Sequence, residues 1–216
     1  MKKVESKSSV LIVLIGYLII SQVPMGTIQL FTKLQKNISK SVEFFVISLL
    51  CFVICFGLIT WQKQRKIALW NFRGLFKTIP WIILACAFCF LGSAAGQFLI
   101  EQQGLEQTIN QVELKKLLDQ TPKGLFLLVT GVTAPITEEG IYRAGIQALF
   151  PEKYKYRVMI GAAVLFSFSH TPTNIGSFIV YFSFGLAFGG VYLKTGRIEA
   201  AVLAHGLWNM LGVMVM

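Results

Sequence analysis

Glu138-Glu139-x-x-x-Arg143, Phe166-x-x-x-His170 and His205-x-x-x-Asn209 set the chain's two histidines, an acidic pair and an arginine inside apolar stretches. Ionisable side chains are expensive in hydrocarbon, so a segment that keeps them is using them. A glutamate and a histidine holding one water make a general base and its partner, and a second histidine with an asparagine amide can donate to a developing oxyanion. That set suffices to hydrolyse an amide without a covalent intermediate. No Gly-x-Ser-x-Gly elbow and no Asp, His and Ser arrangement is present.

A metal is the competing use of the same side chains. Glu138, His170 and His205 could supply three ligands to Zn²⁺ and leave a fourth position for water. No His-Glu-x-x-His helix accompanies them, so the metal reading rests on residue types alone, and both versions stay open.

The local spacing divides the labour. Glu139 and Arg143 are four apart with the acid first, the favourable same-face order, and in a low-dielectric site the pair neutralises itself and fixes its helix. Glu138 points about 100° away and is left free for chemistry. Pro135 can start or kink a helix, and Thr137 could satisfy backbone donors exposed there. Phe166 shares a face with His170, and His205 with Asn209. Taken singly, each motif has a plain structural reading: a helix lock for Glu139 and Arg143, interhelical hydrogen bonds for either histidine or Asn209, core packing for Phe166. Their joint occurrence carries the functional reading.

These motifs need helices that bring them together, and the composition supplies such helices. The 216 residues are 55% hydrophobic and only 14% charged, with mean hydropathy +0.66. That lies outside the soluble globular range and points to a single all-α, polytopic membrane bundle over residues 1–216 with a polar cavity. Apolar windows at about 10–31, 43–61, 78–100, 123–150, 158–170, 177–193 and 198–216 predict seven transmembrane helices. The window at 158–170 is short for a core of ~30 Å, so its helix either ends within the bilayer or continues past Pro172. The first window is long for a signal-peptide core and lacks a small-residue cleavage site, so it reads as a retained span. No internal repeat or second domain is evident.

The net charge of +10 could suggest nucleic acid, but Lys and Arg cluster in the short loops between apolar runs, where they orient a chain in the cell membrane. With a cytoplasmic N-terminus, thirteen of the 20 basic residues fall inside, from Lys2, Lys3 and Lys7 to Lys194 and Arg197. Lys33, Lys36 and Lys40 are among the six that fall outside. In this orientation Glu138, His170, His205 and Asn209 all lie about 10–18 Å from the cytoplasmic edge, so three helices can present them to one cavity. Residues 101–122 carry Leu114, Leu117 and Leu118 at helical spacing and read as an interfacial amphipathic helix that packs rather than binds substrate. Cys51, Cys55, Cys86 and Cys89 sit in apolar runs and behave as small hydrophobes.

The three motifs resemble those of the CAAX-protease and bacteriocin-processing family, membrane peptidases that include the Ras-converting enzymes and the Abi-type bacterial proteins. The family pattern is Glu-Glu-x-x-x-Arg, Phe-x-x-x-His, then His-x-x-x-Asn or Asp. Thr137 to Gly145 fits the first motif, and the likeness covers about residues 120–212, a peptidase core. The resemblance implies that Glu138 and His170 activate the hydrolytic water while His205 and Asn209 stabilise the oxyanion. Glu139, Arg143 and Phe166 would shape the site. It implies a peptide or protein substrate met at the lipid bilayer, and leaves the metal-dependent and metal-free versions open. Compact bacterial-type members are associated with peptide processing or export, bacteriocin self-immunity, or regulation of surface proteins. A non-catalytic immunity or scaffold protein that keeps the polar cluster as interhelical glue is the alternative. A transporter is the weaker reading, since no repeated pair of broken helices marks a midplane site.

Overall fold

The computed structural model describes residues 7–34 and 39–215, and among them every regular element is helical. Lys2, Lys3 and Lys36, counted in the orientation argument, lie outside the described residues. Five helical stretches are long and apolar enough to cross a membrane: Lys7–Lys33, Lys40–Gln64, Leu75–Glu101, Ile175–Thr195 and Ile198–Val215. Two of the seven expected spans are not of this kind, for separate physical reasons. One carries Glu138, Glu139 and Arg143 and is broken by turns of wider register, and the other is only 15 residues long.

The first stretch is two helices, α1 (Lys7–Ile20) and α2 (Val23–Lys33). They part at Ser21, whose hydroxyl back-bonds to the Leu18 carbonyl, one turn ahead of Pro24. α3 (Lys40–Gln64) opens with Ser39 accepting from the Val42 amide, and Lys40 pairs with the buried Glu43 at 2.9 Å. α4 (Ile79–Glu101) follows a short 3-10 turn entered through Gly74 at φ +67°. α5 (Ile109–Leu118) is capped reciprocally by Thr108 and Gln111, and Leu117 tucks against the cluster of Ile28, Ile47, Cys51, Leu125 and Val129.

A single composite helix then runs from Lys123 to Ala148. α6 (Lys123–Leu127), α7 (Ala134–Glu139) and α8 (Ile146–Ala148) are joined by two π turns, Leu128–Thr133 and Gly140–Gly145. Such turns recur at functional sites because they break the regular register of carbonyls and side chains. α9 (Lys155–Ser169) ends with His170 as its cap, and Thr171 at φ +49° turns the chain out of the helix before Pro172. Of the two fates open to the short window, it therefore ends. α10 (Ile175–Thr195) is capped by Asn174 with Ser177, and α11 (Ile198–Val215) completes the bundle.

α10 is the central helix, lying between α4, α9 and α11. Small residues let it approach closely, the usual device where no water drives helices together. A Cβ at Gly96 would stand 2.6 Å from the Gly176 carbonyl oxygen, and one at Gly185 would stand 2.8 Å from the Ala163 Cα. At one edge of the bundle, Arg197 donates to the carbonyls of Asn71 and Arg73, Glu199 accepts from the Asn71 amide, and Lys194 lies over the Trp81 ring. α5 stands at the opposite edge, beside the cap of α9. The four cysteines are free thiols, with Cys51 and Cys89 buried, as their apolar surroundings suggested.

Candidate active site

Pro135 shapes the first part of the site. In the first π turn the Ala134 amide bonds the Val129 carbonyl, five residues back. Continuing that register, the Thr130 carbonyl would look to the nitrogen of residue 135, which as proline carries no hydrogen. Asn209 of α11 fills this gap, its Nδ2 donating to the Thr130 carbonyl at 2.8 Å. α11 comes this near because of Gly206: a Cβ there would lie 2.6 Å from the Gly131 carbonyl oxygen.

The second π turn is held by another side-chain amide. Gln62 of α3 donates from Nε2 to the Gly140 carbonyl at 2.7 Å, and its own oxygen accepts from the Trp70 indole at 2.8 Å. Thr137 does not serve backbone donors as expected. Its hydroxyl donates instead to the carbonyls of Thr133 and Ala134, because both lie one turn back within α-helical reach while the donors do not.

Between these two fixed turns sit the glutamates. Glu139 is fully buried and doubly engaged: Oε2 lies 2.9 Å from Arg143 Nε, and Oε1 accepts from His205 Nδ1 at 2.9 Å. Arg143 Nη2 adds a longer contact of 3.3 Å to Oε1, and its guanidinium lies 5.0 Å above the Phe166 ring. The predicted lock exists, and His205 is its third member.

Glu138 faces the other nitrogen of the same histidine, with Oε2 3.9 Å from His205 Nε2. This separation is too long for a direct hydrogen bond. The buried Oε2 has no hydrogen-bond partner in the protein. Of the two adjacent carboxylates, Glu139 has two ion-pair partners at 2.9 Å, and Glu138 has none nearer than 3.9 Å.

His170 places Nδ1 2.8 Å from the Phe166 carbonyl, which can only accept. The proton therefore sits on Nδ1 and the lone pair on Nε2, the basic tautomer. Phe166, 1% exposed, is the hub of the site, touching Tyr142, His170, Phe188 and His205. Glu138 and His205 thus approach to 3.9 Å without a hydrogen bond, His170 and His205 both pack on the Phe166 ring, and one hydrogen of the Asn209 amide is committed to Thr130.

Two aromatic residues escaped sequence reasoning. α10 presents Tyr181 and Phe188 two turns apart, and each lies parallel to one of the two histidines. Tyr181 stacks on His170 at 4.4 Å and 14°, and Phe188 on His205 at 4.5 Å and 11°. Their i, i+7 spacing was the available signal, but it is indistinguishable from ordinary core packing.

Among the described residues no three His, Cys, Asp or Glu side chains are grouped to hold a metal ion. Glu138, His170 and His205 do not form a three-ligand set in this arrangement.

Residues 120–211 match the family model described as type II CAAX prenyl endopeptidase Rce1-like. The chain is also 30% identical over 135 residues to the UPF0177 protein YvdC of Lactococcus lactis subsp. lactis, covering 62% of this chain and 51% of that protein. It spans about half the length of this curated relative. No solved structure matches it. The family resemblance carried by the three motifs is thereby established over residues 120–211, the stretch that supplies every ionisable group of the site.

Proposed function

We propose that the chain is an intramembrane endopeptidase that hydrolyses a peptide bond in a peptide or membrane-associated protein by means of activated water. The observation that carries this reading is the state of Glu138. A carboxylate kept only to tie helices together would be closely ion-paired, as Glu139 is at 2.9 Å to both Arg143 and His205. Glu138 Oε2 is instead buried, makes no hydrogen bond and comes no nearer than 3.9 Å to an imidazole nitrogen. Leaving it so costs stability, and chemistry is the compensating use.

In the proposed step Glu138 takes one proton of the water and the His170 Nε2 lone pair accepts a hydrogen bond from the other O–H. The oxygen forms its bond to the substrate carbonyl carbon, and the carbonyl oxygen becomes the oxyanion. His205, tied at Nδ1 to Glu139, donates to that oxyanion from Nε2 when it carries a second proton. With that proton the charges of Glu138, Glu139, Arg143 and His205 sum to zero. The remaining hydrogen of the Asn209 amide is the second donor. The C–N bond then breaks, and the proton held by Glu138 passes to the leaving nitrogen.

The Rce1-like description makes a prenylated C-terminal tail the first substrate class to test. Wild-type chain in liposomes is given two internally quenched peptides, one ending in a farnesylated CAAX sequence and one an unprenylated membrane-spanning segment. Cleavage of either that is lost in Glu138→Gln supports the proposal. Equal rates for the two proteins on both peptides would overturn it.

A further inference from the structure

The hydroxyl of Tyr181 ties α5 to the histidine of the site. Tyr181 is 5% exposed, and its ring lies flat against His170 at 4.4 Å. Asn110 Nδ2 donates to the phenol oxygen at 3.1 Å. Thr108 Oγ1 lies 2.9 Å from the same oxygen and 3.2 Å from Gln111 Oε1. Either hydroxyl of the Tyr181 and Thr108 pair can be the donor. The Asn110 amide, the Tyr181 hydroxyl, the Thr108 hydroxyl and the Gln111 carbonyl form one continuous chain. A linked polar chain of this kind rigidifies its surroundings.

His170 needs such support because of where it stands. It caps α9, and the next residue, Thr171, has already left the helix at φ +49°. Its hydrogen-bond contacts, with the Phe166 carbonyl at 2.8 Å and the Ser169 hydroxyl at 3.4 Å, are both made at Nδ1 and fix an atom of the ring but not its plane. Phe166 touches it at 44°, so the parallel face of Tyr181 sets the plane and with it the direction of the Nε2 lone pair. A base aimed wrongly by even a fraction of an ångström loses rate without losing substrate.

We infer that Tyr181 is the positioning residue of His170, held in place by Thr108 and Asn110 at the start of α5. This rests on the hydrolytic reading above. α5, expected only to pack, is then part of the catalytic apparatus without touching substrate. Tyr181→Phe keeps the stack and removes the tether, whereas Tyr181→Leu removes both.

The chain has two histidines, so ring-labelled protein in detergent micelles gives two imidazole signal sets, and a His205→Gln sample assigns them. In wild type the His170 set should show the Nδ1–H tautomer and an upfield ring-current shift. Tyr181→Leu should lose that upfield shift, and Tyr181→Phe should retain it. On the farnesylated CAAX peptide in liposomes, kcat should fall on the order of tenfold in Tyr181→Leu and a few-fold in Tyr181→Phe, with KM within about twofold of wild type. Unchanged His170 signals in Tyr181→Leu would overturn the inference, and so would changed signals with unchanged kcat. A wild type with no turnover sensitive to Glu138→Gln would sink the hydrolytic reading instead, while the ring signals still decide whether Tyr181 orients His170.

Discussion

His205 donates its Nδ1 proton to Glu139 Oε1 at 2.9 Å, so the carboxylate locked to Arg143 on its own helix also orients the histidine of α11. Removing one member strands the others in a place without water. Arg143→Ala and Glu139→Gln should each cost about 3–5 kcal/mol, as expected for one partner of a buried pair. The Glu139→Gln, Arg143→Met double variant should be less destabilised than the sum of the singles, because neither charge is left alone. Thermal unfolding in detergent measures this, and strict additivity would show that the two residues are not partners.

Glu138→Gln should behave in the opposite way. The buried Oε2 has no protein hydrogen bond to lose, so the unfolding temperature should stay within a few degrees of wild type. Turnover should drop at least 10²-fold, the scale of a lost general base. A variant that unfolds early and keeps its residual rate would move Glu138 to the structural side of the site.

Asn209 and Pro135 form a pair that can be tested by rescue. Asn209→Leu leaves the Thr130 carbonyl without its donor and should cost about 1–3 kcal/mol. Pro135→Ala supplies an N–H one π register away from that same carbonyl, so the double variant should recover much of the stability lost by the single. If rescued stability comes without rescued turnover, the second hydrogen of the Asn209 amide is the group that matters to the reaction.

Gly206→Ala should be costly and Gly212→Ala nearly silent. The first Cβ would stand 2.6 Å from a backbone oxygen of the composite helix, whereas the second meets nothing within 4 Å. Overpacking of this kind costs about 1–3 kcal/mol, and it would move His205 away from both glutamates. Comparing the unfolding temperatures and peptide cleavage of the two variants separates close approach from a general intolerance of alanine in α11.

Chelation gives the test of the metal reading. Exhaustive chelator treatment should leave peptide cleavage within twofold of the untreated rate, with sub-stoichiometric zinc found by elemental analysis. Loss of activity on chelation and its return with Zn²⁺ would require Glu138, His170 and His205 to converge beyond the arrangement described above.

The helical windows were legible because a bilayer demands long apolar runs, and such runs show in the sequence whatever their neighbours are. The pairing of Glu139 with Arg143 was legible for a similar reason, since four residues along one helix need no tertiary knowledge. What was hidden depended on distant chain segments. Nothing near Gln62 says that its amide will meet the Gly140 carbonyl 78 residues later. Nothing near Asn209 says that a proline on another helix has left a carbonyl for it to bond. The π turns were hidden too, because sequence spacing assumes 3.6 residues per turn and cannot show where a wider turn absorbs an extra one. The expectation that residues 101–122 pack rather than bind substrate rested on Leu114, Leu117 and Leu118, which advertise an apolar face, whereas the hydroxyl and amide that reach Tyr181 lie at the start of α5 and gave no such signal.

The turn at Gly140–Gly145 acts as a phase shifter. A π turn holds one residue more than an α turn, so everything after it lags by about 100° relative to an uninterrupted helix. The glutamates upstream keep their aim on α11, while Gln147 downstream is turned toward the start of α9 and donates to the Lys155 carbonyl. Deleting a single residue here would leave the chain's composition and hydropathy essentially unchanged, yet it would rotate one half of the composite helix against the other by a whole side-chain position. In this fold the count of residues between Glu139 and Gln147 is therefore as informative as their identities, and an alignment gap of one in that interval would mark a rewired site rather than a tolerated loop.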